Sequence, residues 1–159
     1  MSRFLTLFMP DYVVRTPSVH LVDAGDVDAD HLVESQRDHP IDLHGPAPQN
    51  GTWQAKAGKG YDSAQFGVDW EAQVATCPQG KQSRTGRSAQ DGHGNPMVTF
   101  AFKVAEFRAC RARDDCTQSA SPYRERMVDM RLRAAHEALQ AARERQTTEA
   151  FKERYQNAG

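Results

Sequence analysis

Hydrophobic residues along this chain fall into short, separate runs, and their spacing predicts a mixed α/β protein. His20-Leu-Val-Asp-Ala24 reads as a short buried strand that stops at Gly25. Asp28 fits an N-cap, and Ala29 to Asp38 follow as a helix with Ala29, Leu32, Val33 and Gln36 on one face. His39-Pro40 stops it. Ile41 to His44 is a second short strand, closed by Gly45-Pro46. Strand, helix and strand in that order favour a parallel pair joined by a right-handed crossover.

The pattern then changes. Residues 45–60 are rich in Gly, Pro, Asn, Gln and Lys and read as a loop. Phe66, Val68 and Trp70 alternate with polar residues, as on a half-buried strand, and Val74 to Cys77 pairs back through a turn at Glu71-Ala72-Gln73. Residues 78–96 are polar and turn-rich. Val98, Phe100, Phe102 and Val104 alternate with Thr99, Ala101 and Lys103, the clearest strand in the chain. Residues 105–122 read as compact and irregular, and Arg124 to Leu132 fits strand or helix. From Arg133 to about Asn157, Ala135, Leu139, Ala142 and Gln146, then Ala150 or Phe151 and Tyr155, form one stripe at helical spacing.

Composition narrows this picture. A length of 159 residues suits one domain, but 38% hydrophobic residues and a mean hydropathy of -0.74 predict a thin core. The net charge of -1 gives no global signal for nucleic acid, so any such contact depends on local basic patches. Three cysteines argue against a disulfide framework and fit a reducing cytoplasm. No run approaches the ~20 apolar residues of a membrane span. The apolar start, Met1 to Met9, reads as a strand or tail better than as a signal peptide, because Pro10-Asp11 is no small-residue cleavage site.

Three sets of residues are candidates for chemistry. Asp23, at the carboxyl end of a short strand and before a helix, stands where α/β folds place ligand and metal sites, although its local sequence alone favours a turn or capping role. Asp26, Asp28 and Asp30 crowd the same turn, where a helix N-terminus attracts acids anyway. Cys77, in Cys-Pro-x-Gly, and Cys110 and Cys116, with five residues between them, offer three thiolates for a zinc ion. His93 or water would take the fourth position; idle thiols are the alternative. Lys81, Arg84 and Arg87 form a basic stretch suited to phosphate contact or to a soluble hairpin tip. The Arg-rich late helix is balanced by Glu137, Glu144, Glu149 and Glu153 and reads as solvated. There is no P-loop, no G-x-G-x-x-G and no H-E-x-x-H.

Several segments in order carry a resemblance. They are His20-Leu-Val-Asp-Ala-Gly25, Val33-Glu-Ser-Gln-Arg-Asp-His39, Val68-Asp-Trp-Glu-Ala-Gln73, Cys77-Pro-Gln-Gly-Lys81, Arg108-Ala-Cys110 with Cys116-Thr117, and the run from His136 to Gln146. Together they resemble the C-terminal part of DDE transposases of bacterial insertion sequences, in the branch with a cysteine-containing insertion. Residues 1–18 do not match. The resemblance implies an α/β fold: a partial RNase H-like strand-helix-strand core over 19–46, an inserted β-rich cysteine subdomain over 47–122, and a C-terminal helical segment over 123–159. It implies a parent activity of Mg2+-dependent DNA cleavage and strand transfer at insertion-sequence ends, performed by three acids. Asp23 matches the second acid and a Mg2+ ligand. The first acid belongs to an earlier strand and the last to a segment after the late helix; neither Glu149 nor Glu153 matches it. The resemblance therefore implies a fragment inactive alone, with DNA as its partner; the alternative is a non-enzymatic module whose cysteine insertion and Lys81, Arg84 and Arg87 contact DNA or a full-length transposase.

Departures from the family pattern sharpen those expectations. Phe107 stands where a fourth cysteine is expected, Asp26 where Tyr is usual, and Gly86 where Trp is usual. Removing the first strands of an RNase H-like sheet would leave apolar faces open, which Phe4, Leu5, Leu7 and Phe8 of the lead-in could cover.

Overall fold

In the computed structural model, which describes residues 18–158, Asp28 takes the capping role its position predicts. Its carboxylate accepts the His31 N–H at 2.8 Å and starts helix α1, Ala29–Asp38. Strand β1, Ser18–Leu21, precedes that helix and β2, Ile41–His44, follows it. The two strands pair in parallel, Ser18 opposite Ile41 and Leu21 opposite His44, as the strand-helix-strand pattern implied. The first strand lies earlier than its apolar run suggested, because its register with β2 ends at Leu21 opposite His44 and leaves Asp23 beyond it. The lead-in with Phe4, Leu5, Leu7 and Phe8 lies outside the described residues.

Residues 45–60 are not all loop. Thr52 accepts the Ala55 N–H and caps a short helix, α2, Trp53–Ala57, which Gly58 ends in the left-handed region at φ 65°. Strands β3, Gly67–Asp69, and β4, Val74–Thr76, form the expected hairpin, its turn held by Asp69 accepting from the Glu71 and Ala72 N–H groups. The polar stretch 78–96 contains a strand, β5, Arg87–Gln90, which pairs antiparallel with β6, Pro96–Phe102. Val104 is not on that strand but opens helix α3, Val104–Arg108, and α4, Arg113–Cys116, follows. The ambiguous segment after Arg124 becomes β7, Arg126–Arg131, antiparallel to β6.

Two cores result. Alternation on β6 and β7 places Val98, Phe100, Val128 and Met130 on one face, where they pack with Phe66, Ala75 and Phe102. The Phe66 and Phe102 rings meet edge to face at 5.7 Å, and Trp70 meets Phe100 at 6.4 Å. Burying each such ring contributes about 1.5–3 kcal/mol. The second core is smaller. Leu32 of α1 and Ala142 of helix α5, Arg133–Arg145, close over Val27 and Ala47, with Val22 and Leu43 against them. The long late helix is in fact two helices. Thr147 and Thr148 hydroxyls donate to the Glu144 and Arg145 carbonyls, and Thr148 then caps α6, Glu149–Gln156.

Candidate functional site

Asp23 lies just past the carboxyl end of β1. The Val22 N–H donates to the His44 carbonyl at 3.0 Å, extending the parallel pairing by one bond. Asp23 follows with an exposed side chain, and its carbonyl accepts the Asp26 N–H at 3.1 Å, closing a turn ahead of α1. Gly45 permits this close approach: a Cβ there would lie 2.5 Å from the Val22 carbonyl oxygen.

The neighbouring acids do not join Asp23. Asp28 is occupied by its capping bond and by the His31 ring at 3.2 Å. Asp42 binds His44 Nε2 at 2.8 Å and Arg145 at 3.3 Å. Among the described residues, no group of three or more His, Cys, Asp or Glu side chains is set to hold a metal ion. The residues here therefore do not fit a two-Mg2+ site, since one carboxylate cannot supply the oxygen ligands that two hard cations need.

The cysteines do converge. Cys77, Cys110 and Cys116 all line one apolar cavity of about 30 Å³, beside Phe66, Phe102 and Phe107. All three are free thiols. Burial pushes the Cys116 thiol up to about 11, against the opposing pull of the Arg126 guanidinium, so it stays protonated near neutral pH. Phe107 is buried on the wall of this cavity, and the Arg113 guanidinium lies 5.5 Å from its ring. His93 is exposed in the turn between β5 and β6, its N–H bonded to Asp91, and does not line the cavity. The zinc expectation thus finds no support. Phe107 lines the cavity, and among the described residues no group of three or more ligating side chains is set to hold a metal ion.

The basic stretch is not brought together either. Lys81 borders the thiol cavity. Arg87 is exposed on β5. Arg84 instead reaches Glu125, at 2.9 Å, on the far side of β6. That contact marks a groove of about 380 Å³ that sequence reasoning missed, lined by Trp53, Thr117, Ser119, Arg124, Glu125 and Arg126. Arg126 is half-buried and stacks 5.7 Å over Phe66. One guanidinium nitrogen donates to the Met127 carbonyl, while its buried Nε has no hydrogen-bond partner among the described residues. Burial lowers its pKa, with only partial compensation from Cys116 and Asp129. The signal for this groove lay in Arg124-Glu-Arg126, hidden because that segment fitted either strand or helix.

A protein-family model described as Transposase DDE domain matches residues 76–159, over half of the chain. No curated protein and no solved structure matches it. Among the described residues, no helix is long and apolar enough to cross a membrane.

Proposed function

The chain belongs to the transposase DDE domain family, and from that premise we propose that it is the C-terminal part of an insertion-sequence transposase and does not cleave DNA by itself. The observation that carries the reading is Asp23, placed at the carboxyl end of a parallel strand pair and followed by a helix, outside the matched residues. That placement suits the second acid of an RNase H-like core over residues 19–46. Residues 47–122 then form the cysteine insertion, whose sheet gains a third strand from β7, and 123–159 the helical segment.

The family is generally Mg2+-dependent. The described residues give Asp23 no acidic companion, so on this reading they contribute only a part of the catalytic centre. The test is to mix purified chain, Mg2+ and labelled insertion-sequence ends. The chain alone should leave them intact. Adding a polypeptide that supplies the other two acids should produce cleavage, and Asp23→Asn in that mixture should abolish it. Robust cleavage by the chain alone would end the inactivity claim; cleavage indifferent to Asp23→Asn would end the assignment of Asp23.

A second reading, a DNA-binding module without catalysis, is favoured by the groove around Arg126. A partly desolvated guanidinium whose Nε has no partner among the described residues is costly to hold, Arg124 lines the same groove, and Arg84 reaches its Glu125. Thr117 and Ser119 hydroxyls and the Trp53 ring complete a surface that suits a phosphodiester. Arg124→Ala should lower the salt dependence of DNA binding by about one unit of slope. An unchanged slope, or no binding at low salt, would dismiss it. A full-length transposase is the other partner this reading admits.

A further inference from the structure

We propose that Tyr155, on the last helix, is a positioning residue for Asp23, an inference that rests on Asp23 being a catalytic acid. The Tyr155 hydroxyl donates to the Val22 carbonyl at 3.2 Å, across 133 residues of sequence. That carbonyl shares a peptide plane with the Asp23 amide. The Val22 N–H is itself held by the His44 carbonyl at 3.0 Å. On the other side of Asp23, its own carbonyl accepts the Asp26 N–H at 3.1 Å. The two peptide planes that flank the Asp23 Cα are therefore both anchored. Their orientations set φ and ψ of that residue, and with them the direction in which its exposed carboxylate leaves the backbone.

The bond also has no substitute on its helix. Among the described residues, it is the one hydrogen bond that ties α6 to the connection between β1 and α1; the Lys152–Glu149 pair and the Thr148 cap are local. Phe151 stacks on the Tyr155 ring at 5.6 Å with planes 10° apart, which fixes the orientation of the phenol. Chemistry at phosphorus tolerates little misplacement of its acids, on the order of 0.5 Å. A hydroxyl on the carbonyl just ahead of Asp23 limits that displacement from outside the sheet. It also makes the docking of α6 a condition for the acid being in place.

Nuclear magnetic resonance of the full chain tests this without needing activity. Tyr155→Phe removes one oxygen and keeps the ring. Amide exchange at Val22 and Asp26 should then rise about tenfold, the effect of losing one hydrogen bond, and the Asp23 carboxyl carbon signal should move. Exchange at Leu32 and Ala142, in the core between α1 and α5, should stay the same. A folded variant whose Asp23 signal and Asp26 exchange are unchanged would overturn the proposal. So would a uniform rise that includes Leu32 and Ala142, which is what a purely structural tyrosine would give. Should the variant fail to fold, the wild-type chain decides: cross-relaxation between the Tyr155 ring and the Val22–Asp23 backbone supports the contact, and its absence refutes it. These signals do not depend on catalysis. If Asp23→Asn proved harmless to strand cleavage while they behaved as described, the acid assignment would fail and the contact would stand.

Discussion

Gly86 offers a sharp test of how tightly the larger core is built. A Cβ added there would lie 2.7 Å from Val98 Cγ1 and 2.8 Å from Phe100 Cε1. Both distances are shorter than carbon atoms tolerate, so a neighbour must move. Phe100 cannot move easily: it is fully buried, in contact with Trp70 and inside the cluster formed by β6 and β7. Gly86 itself is pinned by its N–H donating to the Gln73 carbonyl at 2.7 Å. Overpacking of this kind costs about 1–3 kcal/mol. Replacing Gly by Ala also restricts the unfolded chain, which offsets about 0.4–1 kcal/mol. The expected net loss for Gly86→Ala is therefore about 1–2 kcal/mol, a fall in Tm of about 2–8 °C for a chain of this size. Gly51→Ala is the control, because a Cβ there meets nothing within 4 Å. It should be neutral or slightly stabilising. Urea unfolding followed by tryptophan fluorescence measures both. Gly86→Ala as stable as the wild type would show that the pocket yields. That would refute the reasoning.

Other expectations follow from single contacts. Asp28→Ala removes the α1 cap and should cost about 0.5–2 kcal/mol in the same unfolding experiment, with little loss if the helix caps itself otherwise. Asp91 is held at about 2, below its ordinary value of 3.8, first by the Asn95 side chain and backbone. A carboxyl lowered by folding contributes stability that is complete above about pH 4 and lost as pH falls toward 2. Asp91→Asn should flatten that part of the acid-unfolding curve, and an unchanged curve would contradict the assignment. Timed alkylation near neutral pH should modify Cys77 and Cys110 before Cys116, whose thiol burial keeps protonated; Cys116 reacting first would contradict the burial.

Much of the fold was legible where side chains carry the pattern. Asp28 with Leu32 announced α1, and the Val98-Phe100-Phe102 alternation announced β6, because burial on one face imposes a period. The elements that escaped notice are those held by backbone bonds and caps. The side chains of β5 are exposed or half-buried, so Arg87 to Gln90 show no apolar period. The break between α5 and α6 rests on two hydroxyls competing for helix carbonyls, which a stripe of apolar residues cannot reveal. The candidate site divides the same way. Asp23 could be placed at a strand end from its neighbours. The scattering of Lys81, Arg84 and Arg87 could not be foreseen, because it depends on how the segment after β4 crosses the sheet: the Arg84 N–H bonds Ala101, and its guanidinium is carried toward Glu125. Cavity formation by three distant cysteines likewise required tertiary structure. So did Phe107 on its wall, the feature that weighs against a metal.

The purified chain, incubated with Mg2+ and end-labelled insertion-sequence DNA beside its Asp23→Asn variant, gives the most direct test of the central claim. The account predicts that both leave the DNA intact. Cleavage by the wild-type chain alone, lost on Asp23→Asn, would contradict it by showing that the acids described as missing are not needed.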